Sequence, residues 1–407
     1  METAENKQQK YKQTSIGLIP KDWEIKKIKE VGEVSSGGTP DTSKLKYWNG
    51  NINWCTPTDI TALKNKFLGN TKTKITEEGL KNSSAKILPP FSIIVCTRAT
   101  IGKAAINTVP MTTNQGFKNI IPKNIDTDFL YYKILSEEHN LIRIASGSTF
   151  LEVSKTDFDN FHISIPPLPE QQKIAEILSK FDEAINTTKR IVEDLKVRNK
   201  GLNQNLFNGD FKEKHLSEIF ERVTTKNTEQ NQNVITISAQ RGFIKQTDYF
   251  NKKIASDTLD NYFLVEKGDF CYNKSYSNGY DWGAIKRLND FEKAVVTTLY
   301  ICFRLKNEEE NSGDFFEFYF ENGILNKGLS KVANEGGRAH GLLNVTAPDF
   351  FNIKIRVPNF EEQTAIAEIL NTAKLELTQY EEKLENLQLK KKGLMQHLLT
   401  GKVRVKI

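Results

Sequence analysis

One internal duplication constrains this chain more than any other feature. Glu170-Gln171-Gln172-Lys173-Ile174-Ala175-Glu176-Ile177-Leu178 returns 192 positions later as Glu362-Gln363-Thr364-Ala365-Ile366-Ala367-Glu368-Ile369-Leu370. The register holds without a gap through Lys200-Gly201-Leu202-Asn203-Gln204-Asn205-Leu206 and Lys392-Gly393-Leu394-Met395-Gln396-His397-Leu398. Gly209 and Gly401 close the two copies, with 15 identities in 40 positions. Upstream, Leu151, Val153, Asp157 and Phe158 match Leu343, Val345, Asp349 and Phe350 at the same offset. A period this long argues against a solenoid, whose repeats run about 20–50 residues. The 407 residues read as two half-proteins, each a variable body followed by a matched helical segment.

The matched segments carry a heptad seam. It steps through Ile174, Leu178, Phe181, Ile185, Thr188, Val192, Leu195, Asn199, Leu202 and Leu206. The second copy steps through Ile366, Leu370, Ala373, Leu377, Tyr380, Leu384, Leu387, Lys391, Leu394 and Leu398. A mostly apolar stripe repeating every 3.5 residues is the pattern of a coiled coil. Asn199 and Lys391 place a polar residue at the same seam position, which costs stability but fixes register. Gly201 and Gly393 are read as points of close backbone approach, since glycine inside a helix costs about 1 kcal/mol against alanine. Pro166-Pro167-Leu168-Pro169 and Pro358 precede the helices, where missing N–H groups are tolerated. Gly209 and Gly401 are expected to supply left-handed caps. About 40 helical residues reach ~60 Å, so an antiparallel pair would hold two bodies a fixed distance apart.

The organisation that follows is an arm at 1–20, a body at 21–165, a helix at 166–209, a second body at 210–357 and a second helix at 358–407. The fold class is α/β (α+β): two globular domains separated by two long antiparallel coiled-coil helices, with an internal pseudo-twofold repeat. Runs such as Phe91–Cys96 and Ala294–Cys302 look like buried strands. Phe129–Leu135 and Phe315–Phe320 are expected as short helices at corresponding places, their aromatics in the core. Cys55, Cys96, Cys271 and Cys302 have neither disulfide nor zinc spacing and read as small buried hydrophobes. No stretch approaches ~18 apolar residues, so no membrane span is expected. The polar start Met1–Lys7 shows no secretory signal, and a cytoplasmic protein is expected. The net charge is +6. The first body holds 19 basic against 15 acidic residues, and the second 20 against 21. That is too mild for charge alone to mark a nucleic-acid binder, so any DNA contact needs local patches or partners.

Catalytic signatures are weak. Arg98-Ala99-Thr100-Ile101-Gly102-Lys103 resembles the end of a phosphate-binding loop, but Thr97 replaces its first glycine and Ala104 its magnesium-binding hydroxyl. Leu88-Pro89-Pro90-Phe91 lacks the polar first residue of the amino-methyltransferase tetrapeptide. Ser36-Gly37-Gly38-Thr39-Pro40 reads as a turn. His139, His162, His215, His340 and His397 show no metal spacing, and nothing suggests a catalytic triad.

Together these features resemble the specificity subunit of type I restriction–modification systems. The resemblance is carried by Pro167–Leu178 and its second copy, the two Lys-Gly-Leu-x-Gln-x-Leu runs, and Ile19-Pro20-Lys21-Asp22-Trp23-Glu24. Ser36–Pro40, Trp54 through Ile60 and Thr97–Gly102 add to it in the first body. Gly242-Phe243-Ile244 and Lys267-Gly268-Asp269-Phe270 do so in the second. The resemblance implies that each body is a target recognition domain reading one half of a bipartite, asymmetric site in double-stranded DNA. It implies that the helices dock two modification subunits, which bind S-adenosylmethionine and methylate adenine at N6. Two restriction subunits would add ATP- and Mg-dependent translocation and cleavage where the system has them. The chain itself would hold no cofactor or metal and catalyse nothing.

Arg or Lys suits guanine and Asn or Gln suits adenine, so polar loops supply the candidate DNA contacts. They are Arg98, Lys103, Asn114 and Gln115 in the first body. In the second they are Gln240, Arg241, Lys274, Tyr276, Asn278, Arg338 and His340. The ordinary alternative for each is a solvated loop side chain. Two other readings stay open: a protein-interaction scaffold that binds no DNA, and a fused modification enzyme with a divergent cofactor site.

Overall fold

A computed structural model describes residues 10–147, 151–249, 259–333 and 343–407. The chain divides into two compact units, 1–192 with 380–407, and 193–379. Both boundaries fall inside long helices, Leu168–Leu206 and Phe360–Leu398. Each unit therefore owns a stretch of both helices.

The duplication extends into the bodies, beyond the residues that show it in sequence. In unit 1 a strand at Glu24–Lys27, a helical turn at Ile28–Val31 and a strand at Gly32–Ser36 follow one another. Unit 2 repeats this as Lys212–His215, Leu216–Ile219 and Phe220–Val223. Both turns start with a glutamate three residues in, Glu30 or Glu218, that accepts from the backbone N–H at the cap. This satisfies a donor that the helix start leaves orphaned. The main sheet of unit 1 runs Gly32–Ser36, Phe117–Pro122, Ile93–Cys96, Ala104–Asn107, Phe67–Leu68. That of unit 2 runs Phe220–Val223, Ile301–Leu305, Phe270–Asn273, Ala284–Arg287. The first four strands of unit 1 and the four of unit 2 share one order and are antiparallel throughout. The short helices fall at Thr127–Ser136 and Gly313–Glu321, with Phe129, Leu130, Phe315 and Phe316 buried as expected. The Ala294–Cys302 run is split: Lys293–Val296 pairs with Phe263–Glu266, and Ile301–Leu305 belongs to the main sheet.

Repeat glutamines join helix to body identically. Gln171 donates to Pro166 O at 2.9 Å and accepts from Asp126 N, the cap of the Thr127–Ser136 helix, at 2.9 Å. Gln363 donates to Pro358 O at 3.0 Å and accepts from Ser312 N, the cap of Gly313–Glu321, at 2.9 Å. Both glutamines are buried, so each bond is shielded from water.

Every seam position is buried or half-buried. Burial is deepest at Ile174, Leu178, Ile185, Thr188, Val192, Leu195, Ile366, Leu370, Ala373 and Leu398. Phe181, Leu202, Leu206, Leu377, Tyr380, Leu384, Leu387 and Leu394 are half-buried. The seam is not solely a helix–helix stripe. Ile174 and Leu178 lie in the core of body 1 with Phe129 and Tyr132, joined by Leu398 and Leu399. Ile366 and Leu370 lie in the core of body 2 with Phe315 and Phe316, against which Leu202 and Leu206 pack. Each buried aliphatic side chain there contributes about 1.5–3 kcal/mol. The polar seam residues both reach the other helix within their own unit. Lys391 pairs with Asp182 in unit 1, and Asn199 Nδ2 donates to Ala373 O at 3.0 Å in unit 2.

Two glycine expectations need correction. A Cβ on Gly201 or Gly393 would meet nothing within 4 Å, so neither marks a close backbone approach. Gly401 is left-handed at φ 71°, but Gly209 is not among the positive-φ glycines. A Cβ on Gly209 would lie 2.2 Å from the far edge of the Phe211 ring, which would have to turn aside.

The segment 1–20, set apart as an arm, contains a hairpin of Tyr11–Thr14 and Gly17–Pro20 whose Ile19 is buried in the core of unit 1. The other end of the chain returns to the same place. Arg404 donates to both Glu170 oxygens at 2.7 Å and to the two Asp22 oxygens at 2.9 and 2.7 Å. The Trp23 indole donates to Glu170 at 3.0 Å. Tyr11 OH donates to Gly401 O at 3.0 Å.

Candidate nucleic-acid interface

In both units the same hairpin of the main sheet carries candidate residues. The loop 97–103 joins strands Ile93–Cys96 and Ala104–Asn107, and the loop 274–283 joins Phe270–Asn273 and Ala284–Arg287. Both connections need left-handed backbone, at Ala99 and Gly102 in one and at Gly279 and Gly283 in the other. Glycine takes that conformation without steric cost. Both loops are also tied to the repeated Leu-x-Val segment. Val153 N donates to Thr97 O at 2.9 Å, and Leu343 N to Lys274 O at 3.0 Å.

In unit 1 this arrangement gathers Arg98, Asn114 and Gln115. Thr97 N donates to Gly116 O at 2.9 Å, which brings the loop 114–116 beside Arg98. Asn114 is half-buried and its Oδ1 accepts from Gly116 N at 2.9 Å, holding the turn rather than projecting freely. Gln115 is exposed and accepts from the Thr39 hydroxyl. Gly37 makes room for that approach, since a Cβ there would lie 1.8 Å from Asn114 O. Lys103 stands apart at the far end of its loop, 3.3 Å from Glu138. Cys96, at the loop's start, is buried, and burial pushes its thiol up to about 11. It stays a protonated hydrophobe, and the other three cysteines are buried as well.

In unit 2, Gln240 Nε2 donates to Asn278 O at 3.0 Å, which joins the turn bearing Gln240 and Arg241 to the loop bearing Lys274, Tyr276 and Asn278. Tyr276 is 62% exposed, so its ring is not core. Lys274 Nζ donates to Val345 O at 3.4 Å. Burial first, and then Arg222, hold its ammonium below the usual lysine range. Arg338 and His340 lie outside the described residues. Chemically, the two clusters offer donors and acceptors suited to base edges and phosphates, with different side chains in each. Among the described residues no group of three or more His, Cys, Asp or Glu could hold a metal ion. No helix there is long and apolar enough to cross a membrane.

Sequence reasoning missed Thr39, which fixes Gln115, and the pair Lys118–Glu152 beneath the first cluster. A signal for Glu152 was present, because it lies between the repeated Leu151 and Val153.

Comparison with known proteins gives a concordant result. The model of the type I restriction modification DNA specificity domain matches residues 20–197 and again 208–389. The MjaIX specificity subunit of Methanocaldococcus jannaschii is 43% identical over 183 residues, covering 44% of this chain and 42% of that protein. The EcoR124I/EcoR124II specificity subunit of Escherichia coli is 33% identical over 186 residues, covering 44% of this chain and 45% of that protein. These matches thus span less than half of each relative. The putative MjaX specificity subunit of M. jannaschii is 26% identical, with 98% of both chains covered. A solved S subunit of a type I restriction–modification system from M. genitalium shares the fold, with a TM-score of 0.56 at 18% identity, over 95% of this chain and 96% of that one. Two matched domains covering most of the sequence, on two bodies with one strand order, place this chain in the type I restriction–modification DNA specificity family.

Proposed function

We propose that the chain gives a type I restriction–modification complex its DNA sequence specificity, each unit reading one half of a bipartite, asymmetric site. One observation carries the reading: a shared strand order presents the same hairpin loop in both units with different polar side chains, Arg98 in one and Lys274, Tyr276 and Asn278 in the other. Dissimilar loops on like scaffolds suit dissimilar half-sites. Arginine is the commonest partner of guanine, and asparagine and glutamine pair with adenine.

The long helices would dock two modification subunits, and restriction subunits where the system has them. The exposed apolar side chains of Val197, Leu375 and Leu389 on those helices support a protein-binding role. The chain acts here as a noncatalytic reader in the cytoplasm. S-adenosylmethionine belongs to the modification subunits, and ATP with Mg to the restriction subunits. The test is a genome-wide map of N6-methyladenine with the gene intact and deleted. Loss of one gapped, asymmetric motif is expected. An unchanged map in cells that express the complex would overturn the reading in favour of a scaffold.

A further inference from the structure

Lys118 sits on the inner strand Phe117–Pro122 with only 6% of its side chain exposed. Its ammonium lies 3.3 Å from Glu152 Oε1, and Glu152 keeps 36% of its own side chain exposed. Glu152 is fixed on three sides. Its backbone exchanges two 3.0 Å hydrogen bonds with Ser146, and it forms a β-bridge with Arg98. The following residue, Val153, donates to Thr97 at the root of the Arg98 loop. Among the described residues Glu152 Oε2 accepts no hydrogen bond.

Burying an ammonium is costly unless it is paired. Here the pair is asymmetric, with the cation inside and the anion reaching the surface beside Arg98. A bare carboxylate on a face that takes a polyanion would be repelled by phosphates. Neutralised from beneath, it becomes a fixed acceptor with one oxygen left to use. Glutamate and aspartate accept from the N4 amino group of cytosine in the major groove.

Resting on the specificity reading above, we infer that Glu152 reads a cytosine in the half-site of unit 1, with Lys118 as its positioning residue.

The experiment compares methyladenine maps from cells carrying the full chain as wild type, Glu152→Gln, Lys118→Met or both, with assembly of the complex followed by size-exclusion chromatography. Glu152→Gln should lower the preference for cytosine by about tenfold at one position of one half-site. That half-site should be the one that Arg98→Ala also alters. Lys118→Met should reduce methylation at the whole motif, because it leaves the carboxylate unneutralised. Adding Glu152→Gln should restore methylation only to the level and the lowered cytosine preference of Glu152→Gln alone, whereas a merely structural pair would leave the cytosine preference unchanged in both. Glu152→Gln assembling normally with its motif unchanged, or changing the other half-site, would overturn the inference and leave the specificity reading standing. Loss of the complex in Glu152→Gln would assign the residue to folding and equally overturn it. Deletion of the gene without effect on the map would instead sink the specificity reading, and this inference with it.

Discussion

Arg98 is half-buried at the root of a loop whose backbone is clamped by Thr97 on one side and Glu152 on the other. Replacing it with alanine should relax recognition at one half-site only. Sequencing the methylated motif checks this, since equal loss across unrelated DNA would mark a phosphate contact. Arg404 makes a different prediction. It pairs in bidentate fashion with Glu170, whose side chain is 1% exposed, so Arg404→Ala strands a buried carboxylate. Removing one partner of an enclosed pair costs about 3–5 kcal/mol, and the partial exposure of Arg404 should bring this to about 2–3 kcal/mol. Asp22 adds a pH dependence. Its hydrogen bonds to Arg404 hold its carboxyl below the ordinary 3.8. A lowered carboxyl stabilises in full above its ordinary value, and that stability is lost as pH falls through the lowered one. Water screens this half-exposed pair, so the effect is small. Thermal melts should therefore show the gap between wild type and Arg404→Ala narrowing as pH falls from about 5 to 2. Candidate contacts were legible only as residue types in polar loops. That Lys103 faces Glu138, or that Gln115 is held by Thr39, depends on neighbours distant in sequence.

Among elements, the long helices were the most legible, because their apolar period is repeated twice at one offset. Periodicity gave the buried face but not what covers it. Ile174 and Ile366 face body cores, whereas Asn199 and Lys391 face the other helix. Repetition of a glycine was also misleading. Gly201 and Gly393 have open space where a Cβ would stand, so no close approach explains them. Gly201→Ala and Gly393→Ala should each stabilise the chain by about 0.5–1 kcal/mol through the unfolded state and helix propensity. Denaturant titration checks this, and a loss of stability would mean that the added methyl group meets a contact absent from this structure. The strand order of the bodies was the least legible. Outside the matched segments the two bodies share little sequence, and their common sheet emerges only from pairings between strands such as Gly32–Ser36 and Phe117–Pro122, far apart in the chain.

For the molecule as a whole, the duplication divides the sequence into two halves, and the two compact units draw their residues from the chain in another way. Unit 2 is one continuous stretch, 193–379, while unit 1 is assembled from 1–192 and 380–407. Its core contains Ile19 and Trp23 from one end of the chain and Leu398 and Leu399 from the other. Deleting 402–407 should expose unit 1 to proteolysis and hydrogen exchange while unit 2 keeps its protection. Equal loosening of both units would contradict the division. The C-terminal return also sets an order of events during synthesis, when domains fold as units from the N-terminus onward. Unit 2 has all its residues once position 379 has left the ribosome. Unit 1, although its first strands are made earliest, must wait for residues 380–407 before Arg404 can close over Glu170. A ribosome that stops between positions 379 and 404 releases a chain whose later-made unit is complete and whose first-made unit is still open.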